Sequence, residues 1–216
     1  MKSKITIKKI QDLLIKGFQT INVDDDTSRR MWWASLEVIQ KEFLSQNCQQ
    51  GGIWVASPLP ALNDKKFFNQ LHGWLWSPEG FPYFQKDNAG FLPGNNQSKV
   101  KKDFDFISNY KVLNLSQKDG YEPFLMIITP NFQCILSIAG EKDKKILLMK
   151  CDEESLKISI ELMHAKLNQE NYEEGVKFRN AINNLGNLNI NNHFEKNFWP
   201  ILSAKLANLG PNHNIK

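Results

Sequence analysis

The sequence predicts an α/β fold of the α+β kind, an N-terminal helical hairpin followed by an antiparallel β-meander with packed helices. Three observations carry this. Apolar residues recur at helical spacing on both sides of a short acidic turn within residues 7–43. Three apolar runs between residues 124 and 151 are joined by turns too short for a crossover, so their strands must be antiparallel. Asp152 then stands where an N-cap belongs, ahead of Leu156, Ile160, Met163 and Leu167 on one helical face.

In chain order, Thr6 is positioned to cap a first helix whose inward face is Ile7, Ile10, Leu13, Leu14 and Phe18. An acidic turn at 22–26 leads to a second helix starting at Asp26 or Thr27, with Met31, Trp32, Leu36, Ile39 and Phe43 facing inward. Asp24, Asp25 and Asp26 read as complements to that helix's dipole rather than as metal ligands. Gly51 and Gly52 close the hairpin, and 53–56 is a short strand stopped by Pro58 and Pro60. Residues 64–71 suit a short helix, and Gly73-Trp74-Leu75-Trp76 alternates as a strand does. From 77 to 102 the pattern dissolves into Gly, Pro, Asn and Lys. Strands are expected at 110–115, 124–129, 132–139 and 145–151, then helices from Asp152 and over 172–185. A last helix runs to Leu209, ended by Gly210-Pro211, with Pro200 either beginning or kinking it. The expected division is a hairpin over 1–50 and an α/β region over 51–216, folding as one continuous unit.

Over 216 positions, 41% hydrophobic and 11% aromatic residues imply a buried core; a disordered chain would hold fewer aromatics. Of 27 basic residues only Arg29, Arg30 and Arg179 are arginines, and the net charge is +4. Base readout leans on the arginine fork, so nucleic acid is disfavoured as a partner. Lys99, Lys101 and Lys102 beside Phe104 and Phe106, and likewise Lys142, Lys144 and Lys145, read as solvated turns and strand edges. No run approaches the roughly 18 apolar residues of a membrane span. Cys48, Cys134 and Cys151 lack metal or redox spacing and read as buried thiols of a reducing compartment, the cytoplasm.

GxSxG, HExxH and GxGxxG are absent, and Gly90-Phe91-Leu92-Pro93-Gly94 ahead of Ser98-Lys99 lacks phosphate-loop spacing. No catalytic residue, metal or cofactor is therefore expected. His164 lacks the acidic neighbour and the Arg-Thr-Pro continuation of a phosphoacceptor histidine and reads as structural. The expected ligand or partner surface is His72, Trp74, Trp76, Phe81, Tyr83 and Phe84. Their rings sit on backbone interrupted by Gly73, Pro78, Gly80 and Pro82, which suits a pocket wall or an interaction hot spot. The competing reading is that these rings plug one end of the core.

Residues 122–167 contain an apolar strand closing on Thr129-Pro130, the aromatic Phe132 and a second apolar strand ending at Gly140. A third strand then runs into the Asp152-capped helix. This stretch resembles the DICT sensory module of bacterial two-component kinases and diguanylate cyclases, notably in cyanobacteria. The meander and packed helix also have a PAS/GAF-like layout. The resemblance implies a non-catalytic sensory or regulatory module whose partner is another protein, a separate kinase or response regulator. A small ligand and a homodimer stay open, and a protein-binding assembly factor is the alternative.

Overall fold

The structure, a computed structural model, describes residues 4–17, 23–59, 61–62, 64–79, 109–141, 144–190 and 193–208, with Lys65 and Phe68 as backbone only. Six strands form one mixed sheet in the order β3-β2-β1-β4-β5-β6. They are β1 (Gly52–Ser57), β2 (Leu71–Ser77), β3 (Tyr110–Asn114), β4 (Phe124–Ile128), β5 (Gln133–Glu141) and β6 (Lys144–Lys150). β4, β5 and β6 make the expected antiparallel meander, with Ile127 opposite Cys134 and Ile138 opposite Leu147. The other half is parallel: β1 pairs with β2 and β2 with β3, and β1 meets β4 antiparallel. The antiparallel PAS/GAF-like layout therefore describes only one side of this sheet.

Helices cover both faces. On one face lie α1 (Ile7–Leu14), α5 (Glu153–Glu170) and α6 (Tyr172–Asn184), packed on Ile53, Val55, Trp74, Trp76, Met126 and Leu148. On the other lie α2 (Asp25–Val38), α4 (Lys65–Gln70) and α7 (His193–Asn208), packed on Trp54, Leu75, Ile127, Leu136 and Met149. Alternate residues of each strand serve opposite faces, so β4 is buried at all five positions. The N-terminal hairpin must be corrected accordingly. α1 and α2 lie on opposite sides of the sheet, each burying its apolar stripe against strands rather than against the other helix.

Local chemistry explains the helix boundaries. Thr6 caps α1, its hydroxyl accepting from the Lys9 N–H at 3.1 Å. Asp24 caps α2 by accepting from Thr27 N–H at 2.7 Å, so the helix begins at Asp25, ahead of the expected Asp26 or Thr27. Beyond Val38 the helix widens into a π-helical turn, Ile39–Leu44, and resumes briefly as α3 (Ser45–Asn47). The wider turn brings Phe43, Leu44 and Cys48 all into the core. Asp152 caps α5 as expected, and Asn171 ends α5 while capping α6. Pro200 lies inside α7, where its missing N–H removes one helical hydrogen bond.

Ile127 is fully buried between its strand neighbours Trp54 and Cys134. Ile127→Ala is expected to cost about 2–4 kcal/mol through lost burial and the cavity left behind. A urea titration checks this; a loss below about 1 kcal/mol contradicts the central placement of β4.

Candidate functional site

The residues singled out in β2 point toward α5 and α6. Trp76 Nε1 donates to Glu170 Oε2 at 2.7 Å, and Trp74 Nε1 donates to Glu174 Oε2 at 3.0 Å. The two acceptors come from different helices: Glu170 closes α5 and Glu174 stands in the first turn of α6, on either side of the extended Asn171 that joins them. Phe178 adds an edge-on contact to Trp74 at 5.2 Å. Lys166, fully buried, lies 2.6 Å from Asp119 Oδ1, 2.8 Å from Glu170 Oε1 and 5.2 Å from the Trp76 ring centroid. Asp119 in turn accepts from the Ile7 N–H at 3.0 Å and from the Ser116 hydroxyl at 2.7 Å.

Burial alone would push the Asp119 carboxyl up. The Lys166 ammonium, the Ser116 hydroxyl and the Ile7 N–H outweigh it and hold the group below its ordinary value. Glu174 follows the same logic: burial opposes ionisation, but Lys177 and the Trp74 indole lower its pKa overall. The cluster gathers at the carboxyl ends of β2 and β3, the end where open α/β sheets bind ligands. On this face the protein's own ion pairs fill that position.

Of the expected ligand or partner surface, this geometry places two residues in the core. Trp74 and Trp76 are both fully buried, because carboxylates on α5 and α6 satisfy the indole N–H groups and let the rings be enclosed. His72 is exposed at the outer end of the row, its ring 5.0 Å from Trp74. Trp74 covers enough of it that burial lowers its pKa, with Glu174 resisting. Phe81, Tyr83 and Phe84 lie outside the described residues.

Arg179 clasps α6 to α5 through a bidentate pair with Glu161 at 3.0 and 3.1 Å. Its second nitrogen also reaches His164 Nδ1 at 2.9 Å, while Asn168 faces Nε2 at 2.9 Å. Arginine can only donate, so Nδ1 accepts and Nε2 carries the hydrogen. Asn168 must then present its carbonyl oxygen, which gives that otherwise unpartnered atom its donor. Burial and Arg179 lower the His164 pKa below the ordinary value of 6.5, with Glu161 opposing.

The unfolded chain therefore binds more protons than the folded one as pH drops below 6.5. The stability contributed by His164, and by His72 in the same direction, is complete above that pH and lost on acidification through the lowered folded values. The expected result is a lower urea midpoint at pH 5.5 than at pH 7.5, with His164→Asn flattening part of the slope. A midpoint that rises on acidification contradicts this.

Elsewhere on the surface, α2 carries a row that sequence patterning did not single out. Trp33, one position from the buried Trp32, is 50% exposed. One turn earlier lie Arg29 and Arg30, and one turn later Glu37, paired at 2.7 Å with both Lys41 and Lys205. Those ammonium groups hold the Glu37 carboxyl below its usual range, Lys205 contributing most. Beyond Glu37 an open groove of about 420 Å³ runs between the π-helical turn and α7, with Val38 and Ile201 in its lining. The available signal in the sequence was the helical wheel: once Trp32 and Leu36 face inward, Trp33 cannot.

Among the described residues, no group of three or more His, Cys, Asp or Glu could hold a metal ion, and no helix is long and apolar enough to cross a membrane. Cys48, Cys134 and Cys151 are free and buried, and burial pushes the Cys151 thiol up to about 12. The fold defines a three-layer α+β domain built on a mixed six-stranded sheet. Residues 8–211 match the family described as a domain of unknown function (DUF8628), and the chain belongs to that family. No curated protein and no solved structure matches it.

Proposed function

We propose that this domain is a non-catalytic sensory or regulatory module that acts on another protein, a separate kinase or response regulator, through direct contact. The observation that carries the reading is the half-exposed Trp33 flanked by Arg29 and Arg30 on the outer face of α2. Trp and Arg are the residues that most often dominate protein interfaces, and a large ring left in water gains most from a partner. The DICT-like stretch supports the regulatory part, since it coincides with β4, β5, β6 and most of α5. Buried free thiols fit the cytoplasm as the working compartment.

The test is phosphorylation of purified two-component kinases from the source genome with and without the domain. The expected result is a changed autophosphorylation or phosphotransfer rate for one of them, reversed by Trp33→Ala. Unchanged rates throughout, or turnover by the domain alone, contradict the proposal.

A further inference from the structure

Resting on that protein-contact reading, we infer that the outer face of α2 receives a helix of the partner protein, with carboxylates seated on Arg29 and Arg30 beside an apolar residue on Trp33. Arginine usage is the first reason. Lysine supplies all but three of the 27 basic residues, so a generic positive charge in this chain is a lysine. Lysines form most of its single-point ion pairs, as at Lys41, Lys157 and Lys205. Arg179, by contrast, spends its planar fork on a bidentate carboxylate.

Arg29 and Arg30 have no such use among the described residues. Arg29 gives one N–H to Asp25 at 3.3 Å, in a pair exposed on both sides, and Arg30 gives one to the Thr27 hydroxyl at 3.4 Å. An exposed pair of that kind exchanges readily for a better-seated partner. Two forks thus stand unfilled within one turn of a half-exposed tryptophan.

Charge order along the helix selects the kind of partner. Asp24, Asp25 and Asp26 come first, then Arg29 and Arg30, then Trp33, then Glu37 with Lys41. Same-face positions four residues apart lie about 6 Å apart along the axis. An alternating row of that pitch complements another helix with the opposite alternation. A nucleic-acid backbone, negative along its whole length, would meet the three aspartates and Glu37 as well as the arginines.

The experiment places p-benzoyl-phenylalanine at position 26, exposed and on the same side as Arg29 and Arg30, in the full chain within its native cells. Irradiation is followed by mapping of the crosslinked peptide. One partner protein is expected, crosslinked in a helical segment carrying Asp or Glu within a turn of the attachment site. The double variant Arg29→Lys with Arg30→Lys keeps the charge and loses the fork. It should cut the yield at least tenfold while the circular-dichroism melting midpoint stays unchanged. Undiminished yield in that variant, a mapped segment without carboxylates, or a second copy of this chain overturns the inference and leaves the protein-contact reading standing. Crosslinks to nucleic acid, or none, overturn both.

Discussion

Asp119→Ala is expected to cost about 3–5 kcal/mol, the range for removing one member of a buried ion pair. Asp119 and Lys166 are both fully enclosed at 2.6 Å, so the lost carboxylate leaves an ammonium in the core with Glu170 as its one remaining counter-charge. It also leaves the Ile7 N–H, which begins α1, and the Ser116 N–H and hydroxyl without their acceptor. Unmet buried donors carry their own desolvation cost. Asp119→Leu combined with Lys166→Met removes both charges and should recover much of the loss, because well-packed apolar pairs often match buried ion pairs. Urea titrations of the single and double variants read this directly. A single-variant loss below about 1 kcal/mol, or a double variant worse than the single, contradicts the buried network.

Gly73→Ala is expected to cost about 3 kcal/mol or more, the upper end of what overpacking costs in a core. Gly73 pairs with Trp54 on β1 and with Tyr110 on β3, and the Trp54 indole lies directly over it. A methyl group at 73 would overlap the five-membered and benzene portions of that indole. The ring cannot swing away, since Trp54 is fully buried, and the Gly73 backbone is fixed by its N–H bond to the Asn109 carbonyl at 2.7 Å. Trp54→Phe frees space above residue 73. The double variant should therefore be more stable than the sum of the two single losses, a coupling that only contacting residues give. Strict additivity contradicts the stacked arrangement.

These two sites also mark where sequence reasoning reached and where it stopped. The β4–β6 meander was legible because its connections are short and local: Pro130-Asn131 turns β4 into β5, and only residues 142–143 separate β5 from β6, although β5 runs on through Gly140 where a turn was expected. The Asp152 cap was legible for the same reason. The parallel pairing of β1, β2 and β3 was not, because parallel neighbours are joined by long crossovers that leave no turn signal between them. Nor could the sequence tell which sheet face each N-terminal helix would cover, as α1 and α2 have similar apolar stripes. Trp74 and Trp76 stood out as an aromatic cluster, but their burial depends on Glu174 and Glu170, 100 and 94 residues away. Without those acceptors in view, indoles beside Gly and Pro look like surface. Trp33 was missed in the opposite direction, because it stands next to the inward-facing Trp32 in an amphipathic helix.

The tryptophans of β2 are buried in the core, whereas Trp33 of α2 is half-exposed and is the residue proposed to meet a partner protein. The most direct measurement is a pair of unfolding titrations, Trp76→Ala against Trp33→Ala, each followed by binding to the crosslinked partner. Trp76→Ala should lose about 3–5 kcal/mol, as large aromatic truncations in cores do. Trp33→Ala should lose under about 1 kcal/mol yet weaken binding at least tenfold. Equal losses of stability, or binding that survives Trp33→Ala, would contradict this assignment.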